Sequence, residues 1–212
     1  MRKLPLIALV LMLPAPSHAQ QQMFNISVGY FAVRTEDARA PGDVLVGNRD
    51  FLAFNINDFS NAALNGEWLV GIGDKLEVGT GLGYYRRTVP SVYAATVSST
   101  GAEIEQALKL RIIPLTAVVR VLPRGGRAGV QPFLGVGVGL YRWRYSETGE
   151  FVDFGQAGWP IFHATYAGEG TSLGPIFLGG ARVPVGDAFT VGGELRYQKA
   201  EGDLDATQFY GS

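Results

Sequence analysis

The chain of 212 residues has no cysteine, and its only histidines are His18 and His163. Without cysteine, no disulfide can cross-link the fold and no thiolate can act as a nucleophile or a metal ligand. Two histidines that lie far apart in the sequence do not supply the several ligands that a zinc site needs. The sequence therefore predicts no catalytic residue, no metal site and no cofactor.

Basic residues form no stripe along the sequence. The chain has 18 lysines and arginines against 19 acidic residues, which gives a formal net charge of −1. Residues 1–19 contain two of the basic residues and no acidic one. Without them, 16 basic residues remain against 19 acidic residues. A nucleic-acid-binding protein is expected to have a basic surface, so we expect no nucleic-acid partner.

No apolar run approaches the ~20 residues that a membrane-spanning helix needs. The longest one, 4–13, follows Arg2 and Lys3 and precedes the small residues Ser17 and Ala19. This order is typical of a secretory signal peptide. We therefore predict a signal peptide over 1–19 and an exported domain over 20–212; a buried N-terminal helix is the alternative.

Alternating polarity between turn residues predicts an all-β chain with seven strands and no helix. The predicted strands are 23–33, 63–72, 75–88, 103–122, 130–146, 171–185 and 188–200. Connections after the second, fourth and sixth strands are short. Those after the first, third and fifth are long, over 34–62, 89–102 and 147–170. Outer-membrane barrels separate short turns from long loops in this way, whereas a soluble β-sandwich has no reason to do so.

The stretch 131–145, QPFLGVGVGLYRWRY, places glycine at 135, 137 and 139 and Val or Leu between them. Successive side chains of a strand point to opposite faces, so one face is aliphatic and the other has almost no volume. In a membrane barrel the aliphatic face would meet lipid and the glycines would leave space inside. In a soluble sandwich, the alternative, the aliphatic face would be the core.

Charged residues alternate with the aliphatic ones on several predicted strands. Pro114 cannot donate to a ladder, so we expect a bulge there that returns Arg120 to the polar face. The predicted polar network of the barrel interior comprises Glu67, Glu77, Lys109, Arg111, Arg120, Arg182, Glu194 and Arg196. A neutralised structural core is favoured over an ion path, because unpaired charges in a confined interior are costly.

Residues 23–200 resemble the small outer-membrane β-barrel proteins, the OmpA/OmpX/OmpW-like set. The resemblance rests on the leader, the alternating strands, the turns at Gly73-Asp74 and Gly186-Asp187, and the long loops on one side. It implies an antiparallel up-and-down transmembrane β-barrel of eight strands with a filled interior, in the outer membrane of a Gram-negative cell envelope. Bacterial barrels have an even strand number, so we expect this chain to be truncated before an eighth strand that lies beyond Ser212.

The resemblance implies a non-enzymatic protein with a structural or surface-interaction role carried by its extracellular loops. The alternatives are a small porin-like channel and an enzyme that modifies lipid A. Such an enzyme would need a nucleophile and a base, and His163 with Thr165 or Ser172 is the only nearby set. The expected partners are outer-membrane lipid, lipopolysaccharide and the barrel-assembly machinery, and we expect a monomer.

Overall fold

The chain forms one antiparallel sheet of eight strands with almost no helix. The computed structural model describes residues 21–32, 47–127, 129–186 and 189–202. The strands are β1 (Gln22–Phe31), β2 (Leu52–Ala53), β3 (Asn61–Ile72), β4 (Leu76–Val97), β5 (Glu103–Val121), β6 (Gln131–Val152), β7 (Ile161–Val185) and β8 (Phe189–Gln198). They pair in the order β1-β3-β4-β5-β6-β7-β8, and the two-residue β2 pairs with β4. The predicted all-β antiparallel fold is confirmed.

The sheet curls around its inner face without being closed by backbone pairing. Within the described ranges no ladder joins β1 to β8, so the sheet is not a closed barrel. Arg196 on β8 nevertheless reaches Glu67 on β3, with 3.0 Å between Nη2 and Oε1. Arg182 Nη1 on β7 lies 3.3 Å from Met23 Sδ on β1. Because these strands are far apart in the pairing order, the contacts require strong curvature of the sheet.

Helical structure is minimal. A 3₁₀ helix spans Ile56–Phe59, and Asn55 caps it by accepting a hydrogen bond from the Asn57 amide. No helix in the described part of the chain is long and apolar enough to cross a membrane. The predicted signal peptide over 1–19 and the predicted strand beyond Ser212 lie outside the described residues.

Three strands extend well beyond their predicted limits. β4 continues to Val97, β6 continues to Val152 and β7 begins at Ile161, so the connections shorten to 98–102 and 153–160. The prediction of long loops over 89–102 and 147–170 is therefore wrong. Outward positions there, such as Thr88 and Thr148, are polar and exposed, which resembles a loop in the sequence. Inward positions such as Val89 remain buried and hold the strands in the sheet.

The predicted bulge at Pro114 is absent. Ile113 and Pro114 have no backbone partner on the β4 side, but pairing resumes at Ile112 in the same register. On the β6 side the ladder runs through Pro114 without a shift. The proline therefore removes pairing locally without adding a residue, and the alternation of β5 stays in phase from Ile104 to Leu122.

Two clusters of buried apolar side chains fill the inner face. The turn-side cluster, near the β3–β4 and β7–β8 turns, comprises Leu69, Val118, Leu122, Phe133, Ile176 and Leu178. The loop-side cluster, towards the connections 98–102 and 153–160, comprises Leu52, Phe59, Val89, Leu108 and Tyr145. The inner face is thus a packed core at both ends.

The glycines of β6 face this crowded interior. A Cβ atom at Gly135 would lie 2.7 Å from Leu178 Cδ1 and 2.8 Å from the Val119 carbonyl oxygen. Backbone cannot move out of the way as the end of a flexible side chain can, so a larger residue would push the strands apart. The glycine alternation therefore provides interior space, as the sequence indicated.

We expect Gly135→Ala to lower the free energy of unfolding by about 1–3 kcal/mol, because the added methyl group overpacks the inner face. Gly29→Ala is the matched control, since no atom lies within 4 Å of its ideal Cβ position. Denaturant unfolding followed by tryptophan fluorescence measures both variants. Equal stabilities for the two would contradict a crowded interior at Gly135.

Candidate functional site

Four charged side chains from three strands meet inside the curled sheet. Arg120 Nη2 on β5 donates to Glu67 Oε2 on β3 and, at 2.7 Å, to Glu194 Oε2 on β8. Arg196 contacts the same two carboxylates: its Nη2 lies 3.0 Å from Glu67 Oε1 and its Nε lies 2.8 Å from Glu194 Oε1. The four residues form a closed ring of charge-assisted hydrogen bonds, called the ring network below.

A second ion pair lies nearer the turns. Arg182 on β7 binds the Glu77 carboxylate on β4 with both terminal nitrogens, and its Nη1 lies 3.1 Å from Glu77 Oε2. Arg182 Nε donates to Gln131 Oε1 at 2.7 Å. This two-point contact fixes the planes of both groups and joins strands that are not neighbours in the sheet.

The charges in these two groups balance, with three arginines and three glutamates. The side chains of Arg120 and Glu67 are only 2% and 4% exposed, so burial of either charge without its partner would be costly. The Arg120 guanidinium also lies 4.7 Å from the centre of the Phe133 ring, a favourable cation–π distance. The network therefore acts as a set of cross-links within the interior.

Six of the eight residues predicted for the interior network are brought together in these two groups. Lys109 and Arg111 are not among them, and their predicted interior position is corrected. Because β5 keeps its phase through Pro114, they share the outward face with Val119, whereas Arg120 shares the inward face with Leu108. The sequence rule failed here because the inward residues of this half of β5 are themselves apolar.

Sequence analysis missed another buried carboxylate in the interior. Glu147 is 1% exposed, accepts a hydrogen bond from Tyr145 OH at 2.9 Å, and also accepts one from Asn48 Nδ2. The sequence contains the pattern that would have placed Glu147 inside, because Glu147 has the same strand parity as Tyr145 and the interior glycines of β6. It was lost because β6 was predicted to end at Ser146.

His163 and Ser172, two of the residues considered for an enzyme, do not meet. His163 lies on the outward face of β7 opposite Glu150, whereas Ser172 faces inward and lies 3.1 Å from Trp143 Nε1. Thr165 Oγ1 is bonded to Thr148 Oγ1 at 3.2 Å. Across the described ranges, no group of three or more acidic or histidine side chains is arranged to hold a metal ion.

The outer face of the sheet has the opposite character to the paired interior. One row, formed by directly paired residues of four consecutive strands, consists of Leu82, Leu115, Leu140 and Leu173. All four are exposed, and Leu173 is 72% exposed. Towards the turns the face continues with further exposed residues, among them Val119, Leu134, Val136, Val138, Phe177, Val191, Leu195 and Tyr197. This surface is called the apolar band below.

No protein-family model matches this chain, and no curated protein or solved structure is similar to it. The resemblance to small outer-membrane barrels therefore stays a prediction from the sequence.

We expect Arg120→Met to lower the free energy of unfolding by about 3–5 kcal/mol, because it leaves the buried Glu67 carboxylate and the partly exposed Glu194 carboxylate with one arginine between them. Arg127→Met is the control. The Arg127 side chain is 94% exposed, and its Nε lies 4.0 Å from Asp74 Oδ1, which is a long distance for an ion pair. That exposed pair should contribute little. Denaturant titration measures both, and a small loss for Arg120→Met would show that the ring network does not hold the sheet.

Proposed function

We propose that the chain is a transmembrane β-barrel protein of the outer membrane, inserted with the apolar band in contact with lipid. The observation that most supports this proposal is the contrast between the two faces of the sheet. Within the apolar band the outward side chains are apolar and exposed, while the inward face holds paired charges and packed apolar clusters. Soluble monomers rarely expose contiguous apolar surface of more than a few hundred Å².

The sheet geometry supports the same proposal. A bilayer supplies no hydrogen bonds to a backbone, so a membrane sheet must satisfy its polar groups internally and close its edges. Contacts from β8 and β7 to β3 and β1 bring the two ends of the sheet towards each other. In this proposal closure completes the barrel, and lipid covers the outer rows of leucine and valine.

An aromatic residue at the border of the band also supports membrane insertion. Tyr84 is outward and 46% exposed, two residues beyond Leu82 on β4. Beyond Tyr84, the next outward residue of β4 is Arg86, so the apolar surface ends there. Aromatic residues at an apolar–polar border are typical of the two interfaces of outer-membrane barrels.

We propose a non-enzymatic role carried by the strand extensions and connections beyond the band, as a structural or surface-interaction protein. The two apolar clusters across the interior favour this role over a porin-like channel. The separation of His163 from Ser172 favours it over a lipid A-modifying enzyme. Outer-membrane lipid, lipopolysaccharide and the assembly machinery remain the proposed partners, and the monomer the proposed state.

We expect Val136→Arg to reduce insertion into bilayers, because an arginine on the lipid face near the midplane costs ~2–4 kcal/mol. Thr148→Arg is the matched control: it lies on the same strand and face as Val136, but beyond the band. Heat-dependent gel mobility after folding into lipid vesicles measures the inserted fraction. The control should insert like the unmodified protein.

Two results would contradict the proposal. One is insertion of Val136→Arg at the level of Thr148→Arg, which would place Val136 away from lipid. The other is recovery of the unmodified protein from the soluble periplasmic fraction.

A further inference from the structure

Basic side chains line up across three strands on the outer face. Arg86 on β4 is directly opposite Arg111 on β5, and Arg111 is directly opposite Arg144 on β6. All three residues have outward parity, with Arg86 and Arg144 exposed and Arg111 half-buried. Lys109 and Arg142 adjoin this row on the same face. These five residues are called the basic patch below.

The patch is electrostatically unfavourable as it stands. Like charges directly opposite each other on neighbouring strands destabilise a sheet. One carboxylate serves the patch: Glu169 on β7 lies 3.7 Å from Arg142 and 3.9 Å from Arg144. In the part of the chain that the structure describes, Arg86, Lys109 and Arg111 form no ion pair. An anionic ligand would offset this repulsion.

The position of the patch identifies the class of ligand. The arginine row lies four residues beyond the leucine row of the apolar band, a rise of roughly 14 Å along the strands. Tyr84 lies between the two rows on β4. Aromatic residues mark the interfaces of outer-membrane barrels, so a side chain beyond Tyr84 is at the depth of the lipid headgroups. In the proposed membrane location, the strand extensions and the long connection between β1 and β3 lie on the extracellular side, which places this border at the outer leaflet.

We propose that the basic patch binds the anionic phosphate groups of a phosphorylated lipid of the outer leaflet, whose acyl chains lie against the leucine row. This inference rests on the proposed membrane location and adds to it a defined lipid site. Arginine suits the task, because its planar guanidinium group binds phosphate through two parallel hydrogen bonds. Three arginines side by side offer several such contacts to one headgroup with two phosphates.

The carboxylates on this face support a site limited to the border. Glu105 and Glu150 lie six residues further along β5 and β6 than Arg111 and Arg144. At ~3.4 Å per residue this is roughly 20 Å, well beyond the Debye length at physiological salt. Glu169 is therefore the acidic group that competes with a lipid phosphate for the arginines.

The test uses the full chain folded into phosphatidylcholine nanodiscs that contain diphosphorylated lipid A, with bound lipid counted by native mass spectrometry. We expect the unmodified protein to retain lipid A. The double variant Arg111→Gln/Arg144→Gln should retain it about tenfold less, since charge-assisted bonds are lost. Arg124→Gln/Arg127→Gln is the control, because these exposed arginines lie at the opposite end of β5. It should bind like the unmodified protein.

We expect Glu169→Gln to change lipid A retention in the opposite direction. Removing the competing carboxylate should raise lipid A retention, a gain that damaged folding cannot produce. Equal retention by both arginine variants, or an equal loss in both, would overturn the lipid site while leaving the membrane location intact. Heat-dependent mobility of each sample reports insertion separately, and an unmodified protein that fails to insert would overturn both proposals.

Discussion

The curvature of this sheet depends on Arg120. Its guanidinium is buried between carboxylates of β3 and β8, strands that no backbone ladder connects in the described ranges. A charge at this depth is tolerated only where it is paired, so Glu67 and Glu194 must approach it, and their strands come with them. Arg196 binds the same two carboxylates and completes the ring network. The sheet therefore cannot flatten without leaving buried charges unpaired.

The glycines provide the space for this network, and this space determines which face of the sheet is turned inward. Arginine side chains fit inside the sheet because residues such as Gly135 on the neighbouring strand have no side chain. The valines and leucines between the glycines must then point outward, where they form the apolar band. A ring of charges inside and a band of aliphatic residues outside are thus two consequences of one alternation. Beyond Tyr84 the outer face becomes basic, which sets the height of the proposed lipid border.

Much of the fold could be predicted from alternation alone, and the errors in strand limits and in the faces of β5 share one physical cause. The sequence rule assigned apolar residues outward and charged residues inward, which is correct for Val136 and Glu67 within the band. Beyond the band the polarity of the faces is reversed: Leu108 packs inside and Lys109 faces outward. Polar outward residues beyond the band made the extended strands resemble loops, so β6 was predicted to end at Ser146 and Glu147 was missed. Which interior charges pair could not be predicted either, because pairing between β3, β5 and β8 depends on curvature.

The most direct test of the central claim is the environment of the outward side chains of β6. Since the chain has no cysteine, a single introduced cysteine carries a nitroxide label at one known position. In lipid vesicles, power-saturation spectroscopy compares collisions with oxygen, which concentrates in the acyl region, and with a water-soluble nickel chelate. We predict that labels replacing Leu134, Val136 and Val138 collide mainly with oxygen, whereas a label replacing Thr148 collides mainly with the chelate. If the chelate reaches Val136 as readily as Thr148, the outer face does not contact lipid and the account is wrong.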